Sequence, residues 1–489
     1  MTRIYITTAI PYVNASPHLG HALEFVQADI LARGWRLRGD EVRFLSGTDD
    51  NSLKNVLAAE ASGLPVGEFV TRRADEFEFL GRLLGLSLDD YIRTSTDPRH
   101  RPGVEKLWQR AAASGDLYLR DYEGLYCVGC EQFYKPQELA DGRCPEHGTE
   151  PEVVSERNWF FRLSRYTTDL LETIESGRLR IEPPARQNEV LGLLRSGLED
   201  ISVSRAAERA RGWGIPVPGD SDQVIYVWYD ALGNYVSALG YGTDDPDYSH
   251  WWLESDERVH VIGKGILRFH AVYWPAFLLS AGEPLPTAIF VHDYLTTDGA
   301  KISKSAGSYA DPAQLVESHG GDSLRWWFAA EVPPIGDVDF TEQRLVDRVN
   351  QDLANGFGNL VNRIQTLIEK HRPGVIPTPP ADDPLVGRLT DARSSVHRAL
   401  DRFDIRGAAT EVSSLIGAAN AYIQQHPPWE LASAGEWDEF DRVLGSLHHV
   451  AATVAELLGP FVPGVAAKAQ AHLQGSGTGV VQPRLQRPA

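Results

Sequence analysis

The feature that most constrains the fold of this chain is an alternation of strand and helix patterns that is interrupted and then resumes. Apolar β-type runs at residues 3–8 and 42–45 flank a helical stretch over residues 18–37. This order predicts a parallel sheet that binds ligands at the carboxyl ends of its strands. Around Tyr118 the pattern breaks into a Gly- and Cys-containing segment. It resumes in apolar runs at residues 224–227, 259–262 and 288–291. We therefore expect an α/β fold with a domain inserted into its sheet.

The remainder of the chain reads as helical. From about residue 345, apolar residues recur at three- and four-residue spacing, as on amphipathic helices. A chain of 489 residues exceeds what one hydrophobic core usually organises, so several domains are expected. We predict that the two halves of the sheet domain span residues 1–117 and 221–344, with the insertion at residues 118–220 between them. A helical domain is predicted at residues 345–475, followed by a disordered Gly- and Pro-bearing tail at residues 476–489.

Charge and hydropathy exclude some classes of function. The net charge is −20, from 47 Lys and Arg against 67 Asp and Glu, which argues against broad nonspecific binding of nucleic acid. One local basic face remains compatible with this charge. No apolar run reaches the roughly 18 to 20 residues of a membrane helix, and the N-terminus lacks an apolar signal region. A cytoplasmic protein without a membrane partner is expected.

The cysteines indicate a metal site. All three lie between residues 127 and 144, which suits a metal site in a reducing compartment better than a disulfide framework. Cys127 and Cys130 form one pair, and Cys144 and His147 form another, with thirteen residues between the pairs. Three thiolates and one imidazole make a closed tetrahedral zinc site. We predict one structural zinc per chain; a catalytic metal is disfavoured because four protein ligands leave no open position.

A histidine-containing element follows the first predicted strand. Ser16 is a good helix N-cap and Pro17 suits the first helical position, which would place His18 and His21 in the first turn of a helix. Free N–H groups and the helix dipole favour an anion there, and Gly20 leaves room for close approach of a base or phosphate. Taken alone, the element also reads as two ordinary polar histidines at a helix start.

A second element lies far along the chain, where Lys301, Ser303 and Lys304 form a cationic loop after Thr297-Asp298-Gly299. Such a loop could close over a triphosphate and stabilise charge on departing pyrophosphate. Taken alone, it reads equally as a solvated basic loop.

Together, the two elements resemble the HIGH and KMSKS signatures of class I aminoacyl-tRNA synthetases, with Ile302 in place of Met. Further segments are similar to methionyl-tRNA synthetases, namely Ala9-Ile10-Pro11-Tyr12, Gly47-Thr48-Asp49, Trp228-Tyr229-Asp230-Ala231, Gly263-Lys264, Arg268-Phe269-His270 and Asn359-Leu360-Val361-Asn362-Arg363. The similarity runs from about residue 2 to residue 470. It implies a Rossmann-like parallel-sheet catalytic domain, an inserted zinc-bearing connective domain and a C-terminal α-helical anticodon-binding domain. A monomer is expected.

The resemblance implies that ATP, with Mg²⁺, activates L-methionine to methionyl-adenylate, which is transferred to the 3′ end of tRNA(Met). It gives catalytic roles to His18, His21, Lys301 and Lys304, and adds Gly20 and Ser303 to the ATP contacts. Asp49 would bind the ammonium group of methionine. An apolar sleeve would hold the thioether, with Tyr235 near the sulfur, and would consist of Ile10, Tyr12, Trp228, Leu232, Tyr235, Ile266 and His270. Asn359, Arg363 and Trp429 would meet the anticodon.

Several residues depart from the family pattern. After Asp49, related synthetases usually carry Glu-His-Gly where this chain has Asp50-Asn51-Ser52. Gly265 stands in place of an Asp, and Ala306 in place of an Arg. Two other functions therefore stay open: a synthetase-like paralogue that activates another amino acid or serves a biosynthetic pathway, and a noncatalytic tRNA-binding protein.

Overall fold

The computed structural model describes residues 1–129, 131–145, 148–243, 245–297, 300–301, 311–380 and 382–487. The chain divides into two compact units. Unit 1 comprises residues 1–17, 40–80 and 88–292, and unit 2 comprises residues 18–39, 81–87 and 293–489.

The elements follow one another in this order. The first are β1 (Arg3–Thr8), α1 (Leu19–Leu37), β2 (Glu41–Thr48), α2 (Leu53–Ser62), α3 (Val66–Leu83), β3 (Asp90–Arg93) and α4 (His100–Ala113). Next come β4 (Leu117–Cys127), β5 (Gln132–Tyr134), β6 (Glu152–Phe161), α5 (Thr167–Glu175), β7 (Arg180–Glu182), α6 (Pro184–Arg195), β8 (Ile201–Ser202), β9 (Ser204–Ala206), β10 (Pro216–Val217) and β11 (Asp220–Ile225). Then follow α7 (Val227–Leu232), α8 (Asn234–Ser237), α9 (Pro246–Tyr248), β12 (Glu257–Gly263), α10 (Trp274–Ala281), β13 (Ala288–His292), β14 (Leu295–Thr297) and β15 (Ala300–Lys301).

The last part is mostly helical. Its elements are α11 (Pro312–His319), α12 (Gly321–Glu331), β16 (Val338–Asp339), α13 (Glu342–Val349), α14 (Asn359–His371), α15 (Pro384–Asp401), α16 (Ile405–Gln425), α17 (Pro428–Ala434), α18 (Trp437–Leu458) and α19 (Pro463–Leu473). A π-helical stretch, Asn350–Gly358, joins α13 to α14. None of the helices in the described part of the chain is long and apolar enough to cross a lipid bilayer.

Unit 1 is built on a six-stranded sheet in the order β3-β2-β1-β12-β13-β7. Every neighbouring pair in it is parallel, which confirms the predicted parallel sheet. The central strand β1 is β-branched and aromatic, and Tyr5 and Ile6 are fully buried, as suits a strand covered on both faces. The chain leaves the sheet in opposite directions from β1 and β12, and a crevice for ligands is expected between their carboxyl ends.

Two strands differ from the expectation. The run at residues 224–227 does not join the parallel sheet: β11 pairs antiparallel with β9 and β10, and Val227 already begins α7. The edge strand β7 comes from inside the range 118–220. An apolar run of four residues specifies burial but not a partner strand, and a three-residue edge strand is too short to give a periodic signal. The predicted insertion also contains an antiparallel sheet in the order β5-β4-β6-β8.

Close approach of two strands explains Gly47 in β2. A Cβ atom on Gly47 would lie 2.2 Å from the backbone oxygen of Ile92 in β3. Any side chain would push these strands apart. Gly47 therefore keeps the end of β2 close to its neighbour, directly before Asp49.

Unit 2 packs α1 against α12, α15 and α16. Within it, the fully buried Arg325 of α12 pairs with Asp29 of α1, with Nη2 and Oδ2 2.7 Å apart. The same guanidinium donates to the backbone oxygens of Pro460 and Phe461, at 2.7 and 2.8 Å. A buried charge pair with this many partners fixes α1 to the turn between α18 and α19.

The end of the chain lies against the π-helical stretch. Over its described part, the segment 476–489, for which the sequence predicts disorder, forms no helix or strand. Val481 is nonetheless fully buried. The side chain of Asn350 donates to the backbone oxygen of Leu485 at 2.9 Å and accepts from its N–H at 2.7 Å. The sequence gives no signal for these contacts.

Candidate active site

In unit 1, Asp49 directly follows β2 and lies beside the segment that follows β1, at the carboxyl end of these parallel strands. The N–H of Asp49 donates to the backbone oxygen of Pro11 at 2.9 Å, and Tyr12 and Asp49 form a parallel bridge. Asp49 is only 2% exposed. Burial, and then the nearby carboxylates of Asp230 and Glu131, raise the pKa of Asp49 well above its usual value. A buried carboxylate in such surroundings is suited to binding a cation.

Aromatic rings stand beside this carboxylate. Trp228 stacks on Phe269 with ring centroids 3.8 Å apart and planes 3° from parallel. The edge of Tyr12 meets Trp228 at 6.2 Å, and His270 meets Trp228 at the same distance. Phe269 was absent from the predicted sleeve, although it directly precedes His270 in the sequence. The rings form an apolar wall of the kind that accepts a thioether or an aliphatic side chain.

A hydrogen-bonded pair lies within the predicted sleeve. The Tyr235 hydroxyl and Nε2 of His270 are 2.7 Å apart, and Nδ1 of His270 lies 2.9 Å from the backbone oxygen of Ile266. Burial lowers the pKa of His270 to about 4, so the ring is neutral near neutral pH. The carbonyl oxygen of Ile266 requires a donor, so Nδ1 carries the proton and Nε2 accepts from Tyr235.

The predicted sleeve residues share one apolar core but differ in exposure. Leu232 and Tyr235 are 1% exposed, as is His270. The others keep part of their surface open and pack against the edge of that core; they are Ile10, Tyr12, Trp228 and Ile266. Among the described residues, the indole N–H of Trp228 has no hydrogen-bond partner. The structure thus brings the predicted sleeve together in unit 1, with a buried side and a partly open side.

The residues that depart from the family pattern form contacts of their own. Asn51 donates through Nδ2 to Asp230 at 2.9 Å, and Nε2 of His100 lies 2.5 Å from the other oxygen of Asp230. The carboxylate of Asp50 lies instead 2.7 Å from the hydroxyl of Ser95. The supporting role of Asp230 could not be read from the sequence, because the residues that hold it come from distant parts of the chain.

The histidine element begins α1, with the N-cap two residues later than predicted. The N-cap is His18 rather than Ser16: Nδ1 of His18 accepts from the N–H of Gly20 at 3.0 Å, and Nδ1 of His21 accepts from the N–H of His18 at 3.2 Å. The two imidazole rings stack at 3.7 Å. Ser16 instead accepts a hydrogen bond from Arg73 at 2.7 Å. Both histidines keep partial exposure at the start of a 19-residue helix, where an anion is favoured.

The cationic loop is described only in part. Lys301 belongs to β15, whose backbone pairs antiparallel with β14 through Thr296. The side chain of Lys301, and the whole of Ser303 and Lys304, lie outside the described residues. Their predicted roles stay predictions.

Two of the four predicted metal ligands are described. Cys127, at the end of β4, and Cys144 are each 1% exposed and belong to one small cluster with Tyr134 and Leu139. The N–H of Cys144 donates to the backbone oxygen of Thr149 at 2.8 Å. Cys130 and His147 lie outside the described residues. Two buried thiols held in one cluster fit a thiolate site.

The predicted anticodon residues lie in unit 2. Asn359 and Arg363 are both exposed and stand one helical turn apart at the start of α14. Trp429, in the first turn of α17, is 42% exposed although it is a large aromatic residue. Helices α14 and α17 pack against each other. An exposed ring with neighbouring amide and guanidinium groups suits recognition of unstacked bases.

Comparison with known proteins shows which family the chain resembles over its length. The family model described as tRNA synthetases class I (M) matches residues 4–151 and 134–365. The methionine–tRNA ligase of Brucella suis is 40% identical over 479 residues, which cover 95% of this chain and 90% of that protein. That of Rhizobium meliloti is 41% identical over 481 residues, with coverage of 95% and 90%. The solved structure of Mycobacterium tuberculosis methionyl-tRNA synthetase in complex with methionyl-adenylate matches with a TM-score of 0.91 and 37% identity, covering 100% of this chain and 99% of that chain.

Proposed function

The chain belongs to the methionyl-tRNA synthetase family of class I aminoacyl-tRNA synthetases, and we propose on that premise that it is a methionine–tRNA ligase. It activates methionine with ATP and transfers the methionyl group to tRNA. The observation that carries this function within the site is the pairing of one buried carboxylate, Asp49, with the aromatic wall of Tyr12, Trp228 and His270.

The pocket chemistry suits methionine. An ammonium group near Asp49 offsets the burial and like-charge repulsion that raise the pKa of this carboxyl, so binding favours its ionised form. The thioether needs an apolar, closely packed wall, which Trp228 and the neutral His270 supply. The hydroxyl of Tyr235 is already committed as a donor to His270, so a ligand sulfur meets its oxygen and ring.

The reaction needs no nucleophilic side chain. The methionine carboxylate attacks the α-phosphorus of ATP, pyrophosphate leaves, and a ribose hydroxyl of the tRNA 3′ end then attacks the adenylate. The protein contributes positioning and charge stabilisation. We assign phosphate contacts to His18, Gly20 and His21 at the start of α1. Lys301, Ser303 and Lys304 would follow the departing pyrophosphate, with Mg²⁺ accompanying ATP.

A structural zinc is part of the proposal. Cys127 and Cys144, both buried in one cluster, would hold it together with Cys130 and His147. The metal would fix the loops of the insertion and supply no reactive position. A cytoplasmic location keeps such thiols reduced. A monomer stays a prediction, which sedimentation of the purified chain tests.

Recognition of tRNA(Met) is assigned to unit 2. We propose that Trp429 stacks on an anticodon base while Asn359 and Arg363 reach base edges and phosphates. This proposal is supported by the exposure of all three side chains on two helices that pack together, α14 and α17. The chain as a whole carries a net charge of −20. A chain this acidic can still bind tRNA specifically through one local surface.

Amino-acid-dependent exchange of pyrophosphate into ATP tests the function. When each standard amino acid is supplied in turn, methionine should support the fastest exchange. The methionyl group of the resulting adenylate should then be transferred to tRNA(Met). Faster exchange with another amino acid would establish a paralogue of different specificity. No exchange with any of them would establish a noncatalytic protein.

A further inference from the structure

Glu131 is a buried acidic residue that the proposed chemistry does not use. It follows Cys130 directly, in the link between β4 and β5 of the insertion, and is 1% exposed. Its φ of 53° lies in the left-handed region, which residues other than Gly adopt rarely. A carboxylate held this way, away from solvent, must be compensated by hydrogen bonds.

Those hydrogen bonds come from the start of α2. The Ser52 hydroxyl donates to Oε1 of Glu131 at 2.7 Å, and the N–H of Lys54 lies 3.2 Å from the same oxygen. Ser52 is also the N-cap of α2, and its hydroxyl oxygen accepts from the N–H of Lys54 at 3.0 Å. Glu131 therefore completes the cap of a helix that belongs to a different part of unit 1.

The other carboxylate oxygen faces the candidate methionine pocket. The Tyr12 hydroxyl donates to Oε2 of Glu131 at 3.4 Å. Tyr12 in turn forms the bridge with Asp49 and meets the ring of Trp228. One side chain of the insertion thus touches both a pocket residue and the N-cap of α2, the helix that starts four residues after the pocket carboxylate.

Ser52 makes this contact through its side chain. Its hydroxyl supplies both the cap of α2 and the shorter of the two hydrogen bonds to Oε1 of Glu131. Removing the hydroxyl alone would therefore weaken the link between Glu131 and the start of α2.

We propose that Glu131 is a positioning residue for methionine: its carboxylate joins the cysteine-bearing segment of the insertion to Ser52 and Tyr12, and so fixes Tyr12 against Asp49 and Trp228. The inference rests on the proposed function. It predicts that the insertion sets the affinity for the amino acid, without Glu131 touching the reacting atoms.

Pyrophosphate exchange by full-length variants tests the inference. Glu131→Ala should raise the KM for methionine about tenfold, because hydrogen bonds to a buried carboxyl group are lost, while kcat and the KM for ATP change little. Glu131→Gln keeps an acceptor for Ser52 and should rescue most of this loss. Ser52→Gly should give an intermediate increase. Glu123→Gln, an exposed residue of the same insertion, is the control and should match wild type.

Two readouts separate positioning from a general loss of structure. Combined with Tyr12→Phe, Glu131→Ala should add little to the KM for methionine, because both changes break one contact. Hydrogen exchange should rise at the start of α2 in Glu131→Ala and not in Glu131→Gln, whatever the activity. A lower kcat with an unchanged KM for methionine, or unchanged exchange at α2, would overturn the inference. Wild-type protein inactive with methionine would instead contradict the proposed function, and hydrogen exchange would still decide the role of Glu131.

Discussion

The hydroxyl oxygen of Tyr235 lies 2.7 Å from Nε2 of His270, and both side chains are buried in the wall of the candidate pocket. Because Nδ1 of His270 must donate to the backbone oxygen of Ile266, the bond from Tyr235 exists only while His270 is neutral. Protonation of His270 would reverse that bond and place a positive charge within the buried wall. The pair therefore ties the stability of the pocket to pH.

We expect stability to be lost between about pH 6.5 and about pH 4 through His270. Burial lowers the folded-state pKa of His270 from 6.5 to about 4, so in this window the unfolded chain binds more protons. The free energy of unfolding should therefore fall as the pH falls. Between about pH 7 and about pH 5, wild type should lose roughly 2 kcal/mol more than His270→Gln in urea unfolding. Equal losses in both proteins would contradict this role.

Asp49→Asn should stabilise the free protein and weaken its binding of methionine. The raised pKa of Asp49 means that the folded chain holds a proton more tightly than the unfolded chain, so stability falls as the pH rises above the ordinary Asp value. Asn removes that penalty at neutral pH, and Tm should rise. The KM for methionine should rise about a hundredfold, because the ammonium loses its charged partner. The exposed Asp169, changed to Asn, is the control; a lower Tm for Asp49→Asn would count against the argument.

Lys304→Ala should slow formation of the adenylate by at least roughly two orders of magnitude, because a cation that stabilises the leaving pyrophosphate is lost. Methionine-dependent pyrophosphate exchange measures this. Lys370→Ala, at the exposed end of α14, should leave exchange intact. Near-normal exchange by Lys304→Ala would refute the role of the loop.

Arg363→Ala should raise the KM for tRNA roughly tenfold, which corresponds to the loss of one good contact to a base or phosphate. Pyrophosphate exchange without tRNA should stay at the wild-type rate. Arg406→Ala, an exposed arginine of α16, provides a charge-matched comparison. If both variants weaken tRNA binding equally, the effect is general electrostatics rather than anticodon recognition.

The purified chain should contain roughly one zinc per molecule, as four protein ligands of this type predict. Cys127→Ser should lower the zinc content and the Tm together, because the metal stabilises the folded insertion. Elemental analysis and thermal unfolding measure the two. A chain that folds to the same Tm with no bound zinc would show that the cysteines serve packing alone.

The sequence predicts the parallel sheet well where strands are long and buried. The run at residues 3–8 coincides with β1, and the run at 288–291 lies within β13, because β-branched residues between turn residues leave little choice of structure. The run at 224–227 fails as a prediction of sheet membership. Its partner, β9, is set by packing within the insertion, which local composition does not encode.

The candidate site also contains residues whose positions the sequence predicts and residues whose contacts it does not. Candidate site residues that follow strand ends, such as Tyr12 and Asp49, are placed at the carboxyl edge of the sheet by its topology, which the sequence predicts. The contributions of Glu131 and Asp230 could not, because each depends on partners far away in the chain. Residue preference favours Ser16 as the N-cap of α1, whereas the ring of His18 takes that role.

The buried pair between Arg325 and Asp29 has a mechanical consequence. It anchors the middle of α1 to the same guanidinium that grips the turn between α18 and α19. One side chain therefore holds both the helix that starts at the two histidines and the turn between α18 and α19, so loss of the Arg325 guanidinium would loosen both and leave the Asp29 carboxylate buried without this partner.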